Sequence, residues 1–181
     1  MKENVKKLVF LALFMALGIV LLYFEFPLLP AATHLKLDFS FIPILVVALL
    51  YGNKEALFVA FIINVVHFFL KGDLSGLPIG VGANFIALSV YLLVFVYFQK
   101  KEKLLHGCLL ATLAVSTIML LANYFWITRW YFKILGIPLA DDFLLYCIMT
   151  VGLFNLIRWS IISIVNYSLN NWLSRFIRQI K

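Results

Sequence analysis

The chain has 181 residues, of which 65% are hydrophobic and 13% charged, with a formal net charge of +7. Soluble domains run at about 45–50% apolar and about 25% charged, and a chain of this size keeps a large surface that must meet its solvent. A soluble enzyme, a disordered chain and a nucleic-acid-binding module are therefore excluded. The Lys and Arg residues fall in short clusters between apolar runs, the pattern that orients a polytopic protein in a lipid bilayer.

In chain order, residues 8–24 form the first apolar run. Lys6 and Lys7 precede it as in a signal peptide, but the run exceeds a usual h-region and Glu25-Phe26-Pro27 is a poor cleavage site, so it reads as a retained span. Ala12 and Ala16 lie one turn apart within it, followed by Gly18; small residues at that spacing let another helix approach closely. A mixed connection follows over residues 25–38. Residues 39–51 and 56–70 are short for spans, which need roughly 20 residues, and only Gly52-Asn53-Lys54-Glu55 separates them. A re-entrant hairpin would carry Lys54 and Glu55 to membrane depth, so two short spans and a tight turn are expected instead. Residues 80–98, 104–127 and 143–169 complete six spans, with long connections at 71–79 and 128–142 and a tight one at 99–103.

This count separates the charges. Lys2, Lys6, Lys7, Lys54, Lys100, Lys101, Lys103, Arg175, Arg178 and Lys181 fall on one face; Lys36, Lys71, Arg129 and Lys133 fall on the other, beside Glu25, Asp38, Asp73, Asp141 and Asp142. The positive-inside rule makes both termini cytoplasmic. The fold class expected is thus all-α, a single domain over residues 1–181, a multi-pass bundle of six transmembrane helices. The outer connections are long and aromatic, and Tyr23, Trp126, Trp130 and Tyr131 fall where an interfacial belt or a ring-stacking ligand would place them.

Polar side chains at membrane depth are costly and mark sites. Asn64, His67 and Lys71 share one face of the third span; Asn84 lies early in the fourth, Asn123 late in the fifth, and Asn155 and Arg158 at i, i+3 in the sixth. Under the topology above they converge in the outer half, as a pocket open to the outside. Arg158 is permanently charged, and no carboxylate lies in any span; its partner must be backbone carbonyls, a loop acid such as Asp38, or a ligand. His67 has no second metal ligand at suitable spacing, and Cys108 and Cys147 read as packing residues, so no metal site is expected. Phosphate-cradling GxxxxGK[ST], HExxH and GxSxG patterns are missing, as is a carboxylate pair, so neither an enzyme nor a chain that hydrolyses ATP itself is expected.

Ala12-x-x-x-Ala16, the stretch from Phe26-Pro27 through Leu35-Lys36-Leu37-Asp38-Phe39-Ser40 to Ile42-Pro43, Ile79-Gly80, Ala83-Asn84-Phe85, Asn123-Tyr124-Phe125 and Phe154-Asn155-Leu156-Ile157 occur in order along nearly the whole chain. In these the chain resembles the substrate-binding S components of energy-coupling factor (ECF) vitamin transporters, the riboflavin-specific branch in particular. The resemblance implies a bacterial plasma-membrane protein that captures a vitamin outside and delivers it with a transmembrane coupling subunit and two cytoplasmic ATPase subunits. ATP is then used by those partners alone, and the chain needs no cofactor of its own. It further implies that Leu35, Lys36, Leu37, Asp38, Asn123, Asn155 and Arg158 line the pocket, alongside His67 and Asn84 placed there by depth, and that Ala12 and Ala16 pack on the coupling subunit. Riboflavin or a related flavin is the leading ligand; pyridoxine, a hydroxymethylpyrimidine and pantothenate are the alternatives. Phe41, Ile63 and the Arg158-Trp159 step depart from the branch's usual acid, Lys and Lys-Gly.

Overall fold

The computed structural model describes residues 2–30, 32, 34–72 and 76–180. Its elements are α1 (Lys2–Leu21), β1 (Phe26–Pro27), β2 (Lys36–Leu37), α2 (Phe41–Tyr51), α3 (Asn53–Lys71), α4 (Ile79–Gln99), α5 (Leu104–Ala122), a π-helical turn (Asn123–Ile127), α6 (Thr128–Leu135), α7 (Phe143–Tyr146), a second π-helical turn (Cys147–Gly152) and α8 (Leu153–Ile180). Asp73, Met1 and Lys181 lie outside the described residues, as do the side chains of Lys2 and Arg178.

The all-α architecture follows from the apolar runs. Among the described residues, five helical segments are long and apolar enough to cross a membrane, whereas α2 has only 11 residues. At 1.5 Å per residue, α2 falls well short of a core about 30 Å thick. It ends because Gly52 takes φ +97°, a left-handed value that a Cβ would strain. The Gly52 N–H returns to the Ala48 carbonyl at 3.0 Å, while its own carbonyl accepts from Ala56 N at 3.2 Å. One residue thus closes α2 and opens α3. Lys7 Nζ reaches Glu55 Oε1 at 2.5 Å and ties α1 to this turn.

Side-chain exposure is inverted relative to a soluble protein. Leu13, Phe58, Phe61, Leu93, Leu109, Leu113, Leu121 and Ile164 point outward, more than half exposed, a surface suited to acyl chains and not to water. The interior is built from Leu45, Val47, Val59, Ala60, Tyr91, Leu92, Phe95, Ala111, Val115, Trp159 and Ile162, all fully buried. Two glycines bring helices together. A Cβ on Gly107 would sit 2.9 Å from Phe98 Cβ, so α4 and α5 approach closely there. A Cβ on Gly18 would collide with Ile63 of α3. Gly18 therefore faces inward, while Ala12 and Ala16 lie on the opposite, outward stripe of α1.

A polar cluster joins α4, α5 and α8 in the core. Tyr91 Oη lies 3.0 Å from Ser163 Oγ and accepts from Asn166 Nδ2 at 3.1 Å; Thr112 Oγ1 lies 2.8 Å from Ser163 Oγ. Buried hydroxyls are costly unless paired, and these pair with one another.

One expectation changes. Residues 128–142 are not one long loop: α5 continues through the first π turn into α6 as far as Leu135. Arg129 and Lys133 lower the hydropathy of that stretch, yet they sit at i, i+4 on the exposed face, while Thr128 and Phe132 are buried on the other. Gly136, at φ +67°, ends the helix. Within the mixed connection 25–38, β1 and β2 pair antiparallel, Phe26 with Leu37 and Pro27 with Lys36.

Candidate functional site

At the end of the bundle that carries this small hairpin lies a cavity of about 460 Å³. Its wall is drawn from five parts of the chain: Glu25, His34, Leu35, Lys36 and Asp38 before α2; His67 and Lys71 at the end of α3; Ile79, Gly80, Ala83 and Asn84 of α4; Met119, Asn123, Ile127, Thr128, Tyr131 and Phe132 around the first π turn; and Val151, Phe154, Asn155 and Arg158 around the second. The expected residues Leu35, Lys36, Asp38, His67, Asn84, Asn123, Asn155 and Arg158 are brought together, Asn64 is not, and neither is Leu37. That side chain is 1% exposed and belongs to the core. Within the two-residue strand β2, successive side chains point to opposite sides, so Lys36 faces the cavity and Leu37 the core.

The two π turns explain how long helices present asparagines here. Wide turns are uncommon and concentrate at functional sites. Asn123 opens the first, and Asn155 follows the second by three residues. Each folds its amide back onto its own helix: Asn123 Nδ2 donates to Met119 O at 2.8 Å and Asn155 Nδ2 to Val151 O at 2.9 Å. With one N–H used in this way, each Oδ1 turns outward. Asn123 Oδ1 accepts from Thr128 Oγ1 at 2.9 Å, whereas Asn155 Oδ1 receives no donor among the described residues.

Arg158, only 9% exposed, is the charged centre of the inner wall. Its Nη2 donates to Asn84 Oδ1 at 2.5 Å and lies 3.6 Å from Asp38 Oδ2. The other carboxylate oxygen of Asp38 accepts from the backbone N–H and the hydroxyl of Ser40, which starts α2. The loop acid named from sequence as a partner for Arg158 is thus in place, and its remaining acceptors are fixed by the chain. Asn64 does not line the cavity; it is buried behind Asn84, whose Nδ2 donates to its Oδ1 at 3.2 Å. Trp130 is 61% exposed and outside the wall.

A second charged group holds the mouth. Glu25 Oε1 lies 2.9 Å from Lys36 Nζ and 3.1 Å from Lys71 Nζ. Lys71 also donates to Leu22 O at 2.7 Å and sits over the Tyr23 ring, 4.9 Å from its centroid. Burial pushes the Glu25 carboxyl up, but its hydrogen bonds and charge pairing with Lys36 and Lys71 outweigh that and hold its pKa below the ordinary value. His34 stacks on Tyr131, with centroids 6.1 Å apart. Tyr131, one of the aromatics that belt or ligand stacking would place here, lines the cavity, and Glu25, His34, Thr128, Phe132 and Phe154 join it without having been expected from the sequence. The spacing of Thr128, Tyr131 and Phe132 at i, i+3, i+4 is a helical stripe that was read as part of a loop. No group of three or more His, Cys, Asp or Glu side chains that could hold a metal occurs among the described residues.

The geometry is that of a small-molecule cup with a polar inner edge, and the sequence pattern of the family described as "ECF transporter, substrate-specific component" matches residues 6–169. The chain belongs to this family. As an S component it is 33% identical over 167 residues to the riboflavin transporter RibU of Streptococcus thermophilus, covering 89% of this chain and 79% of that one. It is 32% identical over 168 residues to the riboflavin transporter FmnP of Bacillus subtilis, covering 90% and 88%. A solved structure described as the S component of a bacterial ECF transporter superposes with a TM-score of 0.79 at 26% identity, covering 96% of this chain and 98% of that one. Among the departures noted above, Phe41 and Ile63 are buried in the S component's core, and Trp159 is fully buried, stacked on Tyr91 at 5.0 Å. Only Arg158 faces the cavity.

Proposed function

We propose that this S component captures riboflavin, or a closely related flavin, in the cavity and hands it to an ATP-driven ECF module. The observation that carries the ligand is the edge formed by Asn155 and Arg158. Asn155 offers an unpaired acceptor; one turn further along α8, Arg158 offers the donors that Asn84 and Asp38 leave free. A donor beside an acceptor complements the imide edge of an isoalloxazine ring, where a carbonyl adjoins an N–H. Tyr131, Phe132, Phe154, Ile127 and Val151 supply flat apolar walls for the ring. A cavity of about 460 Å³ lies within the usual range of roughly 300–1,000 Å³ for small-molecule sites.

Both termini are cytoplasmic in this reading, and the cavity opens outward, in a bacterial plasma membrane. The transmembrane coupling subunit docks on the outward stripe of α1 at Ala12 and Ala16, and two cytoplasmic ATPase subunits supply the energy. Titrating detergent-purified protein with riboflavin and following quenching of flavin fluorescence tests the ligand. Saturable tight quenching, resisted by pyridoxine, hydroxymethylpyrimidine and pantothenate as competitors, is the expected result. Quenching that is absent, together with a thermal shift from one of those competitors, overturns the flavin assignment.

A further inference from the structure

Three side chains and one backbone carbonyl form a directed chain of hydrogen bonds through the cavity wall. It starts at Ala60 O on α3, which accepts from Asn64 Nδ2 at 2.8 Å; Asn64 Oδ1 accepts from Asn84 Nδ2 at 3.2 Å; Asn84 Oδ1 accepts from Arg158 Nη2 at 2.5 Å. Each amide orientation is dictated by the one before it. A helix carbonyl can only accept, so Asn64 must present its Nδ2 there and its oxygen to Asn84. Asn84 must then offer Nδ2 to Asn64, which aims its Oδ1 at the guanidinium. A flip of either amide would set donor against donor or acceptor against acceptor. Successive bonds of this kind polarise one another in a low-dielectric wall, and the last one holds a charge.

We propose that Asn84 is a positioning residue: clamped between Asn64 and Arg158, it holds the guanidinium against the wall of α4 so that the free donors of Arg158 meet the ligand. Asn84 was expected from the sequence to bind substrate directly; here it acts through Arg158. Without it, the nearest acceptor for Nη2 is Asp38 at 3.6 Å, and the side chain swings toward the α1–α2 connection, away from Asn155. This rests on the riboflavin reading for its effect on affinity, but the placement of Arg158 can be read without any ligand.

The test uses the full chain in detergent, as wild type and with Asn84→Leu, Asn84→Asp, Arg158→Ala and the Asn84→Leu/Arg158→Ala pair. Modification of Arg158 by phenylglyoxal, followed by peptide mass spectrometry in the absence of ligand, reads its restraint; riboflavin titration reads its use. Asn84→Leu is expected to raise the modification rate several-fold and to weaken riboflavin about tenfold, the scale of a hydrogen bond to a charged group. It should add nothing to the loss already caused by Arg158→Ala. Asn84→Asp keeps an acceptor for Nη2 and keeps Arg158 protected. A wild-type modification rate in Asn84→Leu, an Asn84→Asp variant as reactive as Asn84→Leu, or losses that multiply in the double variant each overturn the proposal. If Asn84→Leu does not fold, Asn84→Ala removes the same acceptor without added bulk and carries the comparison. If wild-type protein binds no riboflavin, the flavin reading falls, and the modification rates alone decide the role of Asn84.

Discussion

A guanidinium among apolar helices persists only where acceptors face it. Arg158 finds them in Asn84 and Asp38, from different parts of the chain, and its side chain lines the cavity. Truncation to Arg158→Ala should therefore cost about 2–5 kcal/mol of riboflavin affinity, the range for removing one member of a buried charged contact, read by fluorescence titration. Unchanged affinity with a lower melting temperature would make Arg158 a packing element instead. Leu37 predicts the opposite pattern. It is 1% exposed in the core, so Leu37→Ala should lower stability by about 2–5 kcal/mol in detergent unfolding while the folded fraction keeps its affinity. Asn84, Asn123, Asn155 and Arg158 were legible in the sequence because a polar group in an apolar run stands out. Leu37 was misplaced because a matched motif does not say which way each side chain points. Glu25 and His34 were missed because polar residues in a loop carry no such contrast.

At the scale of elements, the α1–α2 connection is pinned over the cavity by one carboxylate between two lysines. The pKa of Glu25 is depressed in the folded protein, so its contribution is fully present above the ordinary value of 4.5 and is lost as pH falls through the lower folded value. Riboflavin should dissociate faster as the pH drops through that window, and Glu25→Gln should dissociate fast at neutral pH with less further acceleration on acidification. Stopped-flow release measurements with both proteins decide this. Gly18 sets the seat of α1. A side chain there collides with Ile63, so Gly18→Val should destabilise the protein by about 1–3 kcal/mol, as overpacking does, and Ile63→Ala should recover part of that loss. Helix existence was legible throughout from apolar runs, but the end of α5 was not. Arg129 and Lys133 depress the hydropathy of residues 128–135, although their spacing keeps one face apolar. The π turns at Asn123–Ile127 and Cys147–Gly152 left no trace in composition, since both lie inside continuous apolar runs.

The whole molecule has two unlike ends and one unlike flank. At one end sit the hairpin, the π turns and the cavity; the flank is α1, whose outer stripe carries Val9, Leu13 and Val20 around Ala12 and Ala16. Ala16→Trp places bulk on that stripe, far from the cavity wall. It should leave riboflavin binding by the isolated chain intact while abolishing co-purification with a coupling subunit and its ATPases; loss of both activities together would show that the stripe supports the fold instead. Charge segregation gives an expected orientation from sequence, whereas burial of one face of α1 against α3 is a matter of shape that only packing reveals.

The stacked rings of Tyr91, Phe95 and Trp159, all fully buried, and the cluster of Thr112, Ser163 and Asn166 beside them lie directly beneath Arg158 along α8. Every hydroxyl in that cluster is engaged by a neighbouring helix, so these hydroxyls are committed to holding the bundle together and are not free to hydrate a passing ion. An idle, unaccompanied copy of this protein should therefore carry no leak current. Reconstituted alone, it should leave a planar bilayer as resistive as lipid, with riboflavin or without it.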